Sequence, residues 1–139
     1  MPFDPQPLEN QHVVLSDLRA AREIEERILQ EAEACGFSQE SAFAIRLALE
    51  EAIVNAHKHG NRCDSTKHIR VSYKVTPERV IVRIADEGQG FDPDAIPDPT
   101  SPDRISLPNG RGLMLMRAYL DDVSYNEKGN EVQLIKERS

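Results

Sequence analysis

Glu51 and Asn55 stand four residues apart in EEAIVNAHKHGN, residues 50 to 61, at the end of a run that reads as helix. Residues at that spacing share a helix face, with Cβ atoms roughly 5–6 Å apart. A carboxylate can take a proton from water or an alcohol. An asparagine carbonyl is a hard oxygen ligand suited to Mg2+, which keeps several waters and binds phosphates. Glu50 lies about 100° around the helix from Glu51 and has Val54 as its own i+4 partner, so if one carboxylate works with Asn55 it is Glu51. Asp86 ends an apolar run in ADEGQGFD and is followed by Gly88 and Gly90. Glycines there allow close approach of backbone to a ligand, and the carboxylate can accept a hydrogen bond from an exocyclic amino group such as adenine's. In NGRGLMLM, Gly110 and Gly112 precede a helical pattern. Free N–H groups and the positive dipole end make such a helix start a phosphate site. Each stretch alone has an ordinary alternative: a solvated polar stripe, an Asp-Gly turn, a glycine near a cap.

His57, His59, Cys63 and His68 raise the question of zinc. His57 and His59 are two apart, which puts them on different helix faces, and no CxxC or HxxxH spacing occurs. His59 falls on the Glu51–Asn55 stripe if the helix lasts that far, where capping the helix end is its expected role.

The elements that must carry these residues can be read from periodicity. QHVVLSD reads as a first strand. Leu18, Ala21, Ile24, Ile28, Ala32 and Cys35 then recur at helical spacing, with Ser16 or Asp17 as cap and Gly36 as stop. A second helix is expected from Ser38, its N-cap, to Gly60. The period then changes to two: Ile69, Val71, Tyr73 and Val75 alternate in one strand, and Val80, Val82 and Ile84 in the next, around the turn TPER. Prolines at 93, 97, 99, 102 and 108 exclude regular structure over residues 91 to 109. GRGLMLMRAYLDD resumes a helical pattern through Leu113, Met116 and Leu120, and VSYNEKGNEVQLIKE closes as a hairpin turning at Lys128, Gly129 and Asn130. Helices on one face of an antiparallel sheet, an α+β layer fold, fit this order.

A chain of 139 residues suits one domain with its own core. The net charge of −7 argues against a general nucleic-acid binder. A small anion held by backbone amides needs no net positive charge. No apolar run approaches the roughly 20 residues of a membrane span. MPFDPQPLEN carries three prolines and no apolar signal core, so residues 1–10 read as a flexible arm, residues 11–139 as the domain, and the setting as cytoplasmic. Cys35 and Cys63 read as reduced thiols, Cys35 in the core.

Taken in chain order, Glu51-x3-Asn55, DEGQG and NGRGLMLMRAYLDDV resemble the N, G1 and G2 boxes of GHKL ATPases. NAxxHGN, DxGxGFDP and GRGLxLMR followed by DDVSY resemble the anti-sigma-factor serine kinases of bacterial partner-switching systems, and the similarity runs from about residue 10 to about residue 136. The resemblance implies a Bergerat-type two-layer α/β sandwich, with a mixed, mostly antiparallel sheet and helices on one face, binding ATP and Mg2+. It makes Glu51 the general base, Asn55 the Mg2+ ligand within the ATP site, and Asp86 the partner of the adenine amino group. Gly88 and Gly90 shape the adenine pocket. Gly110, Arg111 and Gly112, with Leu113 beside them, meet the phosphates, and residues 91 to 109 form a lid. It further implies phosphorylation of a serine on a STAS-domain anti-anti-sigma antagonist, sequestration of a sigma factor, and a homodimer. The alternative is a non-catalytic ATP-binding module that sequesters its partner. Two departures stand out: the family's final Gly-Thr pair is Gly129-Asn130, and the lid lacks a Thr-x-Lys clamp, leaving Arg104 or Arg111 as substitutes.

Overall fold

Residues 3–4, 6–88 and 118–138 are described by the computed structural model. Strand β1 (Asn10–Leu15) leads into helix α1 (Leu18–Ala34). Asp17, in extended conformation, caps that helix by accepting a hydrogen bond from the Arg19 amide at 2.7 Å. Gly36 ends it at φ +91°, and the Gly36 and Phe37 amides donate back to the carbonyls of Glu33 and Ala32. Ser38 caps helix α2 (Gln39–Val54) through the Ser41 amide.

The α-helix stops at Val54, short of the expected Gly60. Asn55–Gly60 forms a π-helical turn instead, and the Asn61 amide donates to the carbonyl of Ala56, five residues back, at 2.8 Å. Left-handed Arg62 and Cys63, at φ 53° and 59°, then turn the chain towards the sheet.

Strands β2 (His68–Val75) and β3 (Arg79–Ala85) form the expected hairpin, and β4 (Asp122–Tyr125) and β5 (Glu131–Glu137) form the last one. The sheet order is β1-β2-β3-β5-β4. Every pairing among these strands is antiparallel, so the parallel component of a mixed sheet is absent among the described residues. The closing hairpin explains this: β5 returns beside β3, and β4 takes the edge. Of the helix expected from residue 110, Ala118 and Tyr119 are helical; its earlier residues, and the proposed lid, lie outside the described residues.

The period-two pattern sorts the sheet faces. Ile69, Val71, Tyr73, Val80, Val82 and Ile84 point to the helices and pack with Ile28, Leu49 and Ile53 in one buried cluster. On the opposite face, Arg83 and Gln133 are cross-strand partners, joined from Arg83 Nε to Gln133 Oε1 at 2.9 Å. Residues of the N-terminal segment lie over them. The Arg83 guanidinium donates to the Gln6 carbonyl and stands 5.4 Å from the Phe3 ring centroid. Among the described residues no helix is long and apolar enough to cross a membrane.

Glu25 interrupts the apolar face of α1. It is 2% exposed, and its Oε1 has no hydrogen-bond partner. Burial, reinforced by Glu50 and opposed by Arg46, raises its pKa from 4.5 to about 7. Folding therefore takes up a proton between those values, and stability contributed by the neutral carboxyl is complete below pH 4.5 and lost as pH rises through 7. Glu25→Gln is expected to abolish this dependence. The stability difference between wild type and variant should change by about 3 kcal/mol between pH 4 and pH 8, measured by urea unfolding, and a constant difference would contradict the assignment.

Candidate functional site

The π-helical turn decides which side chains face the sheet. Asn55 and His59, four apart, face one cavity between the end of α2 and the C-terminal end of β3, and the extra residue in the turn brings Gly60 round to it as well. Asp86, Gly129 and Asn130 line it from the sheet side. Asn55 and Asp86, far apart in the chain, are thus brought together as the motif order predicts.

The Asn55 Oδ1 atom is buried and has no hydrogen-bond partner. A buried amide oxygen without a donor is costly unless something outside the chain supplies one or coordinates it. A single hard oxygen fits Mg2+, which takes one or two protein oxygens and completes its octahedron with water and phosphate. Among the described residues no group of three or more His, Cys, Asp or Glu side chains could hold a metal. Asn55 Oδ1 thus offers one unpartnered oxygen to the cavity.

Asp86 comes directly after β3. Burial raises its carboxyl pKa, with the Gly88 amide, which donates to Oδ1 at 2.7 Å, pulling the other way. The carboxylate lies hard against Gly60. A Cβ on Gly60 would stand 2.1 Å from Asp86 Cγ, and one on Gly88 would stand 2.3 Å from the Gly60 carbonyl oxygen. At Gly88 the obstacle is backbone, which leaves room for glycine only, whereas at Gly60 it is the Asp86 side chain, which a Cβ would displace.

Glu51 does not line this cavity. It opens onto a second groove along α2, with Arg22, Leu47, Glu50, Val54 and Tyr119. Glu51 and Asn55 are neighbours on the helix, yet they face two adjoining depressions. Gly90, Gly110, Arg111, Gly112 and Leu113 lie outside the described residues, as does Arg104.

Three contributors carry no functional role in the sequence reading. Asn61 joins three segments at the cavity's edge. Asn126 caps the last hairpin turn, accepting from the amides of Gly129 and Asn130 at 2.8 and 3.1 Å. Its Nδ2 donates to Asn130 Oδ1, whose own Nδ2 reaches the carbonyls of Gly88 and Asp86 at 3.4 and 3.5 Å. Ser16, fully buried, pairs with His57 Nδ1 at 2.8 Å and ties the start of α1 to the π-helical turn. Asn61 closes the NAxxHGN motif and Asn126 lies three residues before Gly129, whereas Ser16 stands out only as a possible helix cap.

The model of the histidine kinase-like ATPase domain matches residues 14–136. Serine-protein kinase RsbW of Oceanobacillus iheyensis is 32% identical over 99 residues, covering 67% of this chain and 63% of that protein. RsbW of Listeria innocua is 30% identical over 108 residues, covering 73% and 69%. RsbW of Bacillus subtilis is 29% identical over 109 residues, covering 73% and 68%. The match thus spans about two thirds of the length of these relatives. Among solved structures, the RsbU and RsbW domains of a Mycobacterium tuberculosis protein superpose with a TM-score of 0.59 at 16% identity, covering 93% of this chain and 32% of that one, a likeness of fold.

Gly60→Ala pushes the Asp86 carboxylate aside and is expected to lower stability by roughly 1–3 kcal/mol. Urea unfolding checks this, and a variant as stable as wild type would show that the contact relaxes freely.

Proposed function

The chain belongs to the histidine kinase-like ATPase domain family, and from that premise we propose that it is an ATP-dependent serine kinase and anti-sigma factor of a partner-switching system. The observation that carries the reading is the pairing of an unpartnered Asn55 Oδ1 with the desolvated Asp86 carboxylate in one cavity. Such a pair presents one end to a metal–phosphate group and the other to a hydrogen-bond donor.

In this reading Asp86 accepts a hydrogen bond from the adenine amino group, the feature that distinguishes adenine from a 6-oxo purine. Asn55 would hold Mg2+ through Oδ1, and the ion, when bound, supplies neutralising charge at the phosphates. Gly110, Arg111, Gly112 and Leu113 are assigned to the phosphates, and Gly88 and Gly90 to the adenine pocket, on sequence grounds. Glu51 takes the proton of the substrate serine as its oxygen forms a bond to the γ-phosphorus and the β–γ bridge bond breaks, releasing ADP. In this reading the serine approaches along the groove that Glu51 shares with Arg22, Leu47, Val54 and Tyr119.

The relatives' name, serine-protein kinase, supports the reaction class. A STAS-domain antagonist as substrate, a sigma factor as second partner, a homodimer and a cytoplasmic setting complete the proposal.

Two measurements test it. ATP with Mg2+ at about a hundred times its dissociation constant should stabilise wild type by about 2.7 kcal/mol, and Asn55→Ala should lose most of that shift. No shift in wild type would remove the nucleotide reading altogether. Glu51→Gln should keep the shift yet slow serine phosphorylation of a STAS partner by about 10²–10⁴-fold. Unchanged transfer would remove Glu51 as the base, and no transfer by wild type would favour ATP-dependent sequestration.

A further inference from the structure

Asn61 is the last residue of the NAHKHGN stretch and has 0% of its surface exposed. Its polar groups are used in both directions. Nδ2 donates to the His68 carbonyl at 3.0 Å, and Oδ1 accepts from the Glu87 amide at 2.8 Å. Its backbone amide closes the π-helical turn on Ala56, and its carbonyl accepts from the Asp64 amide. The side chain thus joins the helix end, the start of β2 and the loop after β3.

The Glu87 amide lies between the two residues that shape the cavity's acid end. Asp86 precedes it, with its carboxylate against Gly60, and Gly88 comes after it, donating to that carboxylate. Glu87 adds a return contact, since its carboxylate accepts from the His68 amide and stands 3.4 Å from the His68 ring. From the other side, the Asn130 carbonyl accepts the Asp86 amide at 2.9 Å. Asp86 is therefore held between two asparagines, but their grips differ. The short contact from Asn130 is made by backbone and survives any side chain there, whereas Asn61 acts only through its carboxamide.

We infer that Asn61 is a positioning residue for purine discrimination: by holding the Glu87 amide, it orients the Asp86 carboxylate towards the amino group of the base. The inference rests on the reading of Asp86 as the base-recognising group. A desolvated carboxylate discriminates only if it is held in place, because a mobile one can turn away from a 6-oxo purine and lose the penalty that rejects it.

The two ends of the Asn61 amide can be separated by mutation. Asn61→Asp keeps an oxygen acceptor for the Glu87 amide and loses the donor to His68. Asn61→Ala and Asn61→Leu lose both, the latter while keeping the volume. Affinities for ATP and inosine triphosphate, each with Mg2+, are measured on wild type and the three variants at a temperature where each is folded by circular dichroism. Wild type should prefer ATP. Asn61→Ala or Asn61→Leu, whichever folds, should lose about tenfold in that preference, mainly through weaker ATP binding, while Asn61→Asp keeps it despite a lowered melting temperature. Parallel loss of both nucleotides, or an Asp variant as indiscriminate as the Ala variant, would overturn the inference and leave Asn61 as scaffold only. Amide hydrogen exchange without nucleotide separates this from failure of the nucleotide reading. If wild type binds neither nucleotide, that reading falls. The strut then stands only if the Gly88 amide exchanges faster in Asn61→Ala than in Asn61→Asp, and equal rates would overturn it as well.

Discussion

A single close approach organises this molecule: the backbone at Gly60 lies against the Asp86 carboxylate, with no room for even one carbon between them. That contact joins the end of α2 to the end of β3, the two elements whose side chains meet in the cavity. It is also why the acid is desolvated and its pKa raised. The π-helical turn and the hairpin turn around Asn126 both bring glycine backbone, Gly60 and Gly129, to this cavity. The hydrophobic core under the sheet does the complementary work. It holds α2 against β3, the two elements whose ends make the contact.

The site is built mainly from neutral amides. Asn55, Asn61, Asn126 and Asn130 supply its oxygens and N–H groups, and three of the four are tied to backbone or to each other. An amide can satisfy a donor and an acceptor together and has little charge to desolvate, so it holds a loop without altering the carboxylate beside it. In the proposed reading, this is how a chain of net charge −7 offers a pocket to a metal–phosphate ligand. The buried, poorly satisfied Glu25 lies between α1 and α2 instead.

Periodicity makes the two helices and the hairpin of β2 and β3 legible, because each buries one face and repeats at its own spacing. The pairing of Asn55 with Asp86 is legible only through motif order. The π-helical turn is not: it depends on what the helix end packs against, and its residues look like a frayed terminus. Glu25 escapes notice because a glutamate in an apolar stripe reads as solvent-facing. Phe3, Asp4 and Gln6 carry no sequence signal for their contacts with Arg83 and Gln133. Asn61 sits inside a motif with no visible task, because its partners, His68 and Glu87, are distant in sequence.

The π-helical turn also sets which changes of chain length the fold can absorb. Its i→i+5 bonding holds one residue more than an α-turn would, so the count between Glu51 and Gly60 is part of the geometry. Removing one residue there would restore an α-turn and rotate Gly60 away from Asp86, and adding one would swing it past. The turn between β2 and β3, by contrast, lies far from the cavity and can lengthen at small entropic cost. Among descendants of this sequence, insertions and deletions should therefore collect at that hairpin and be purged from residues 55 to 60, even where the residues themselves drift.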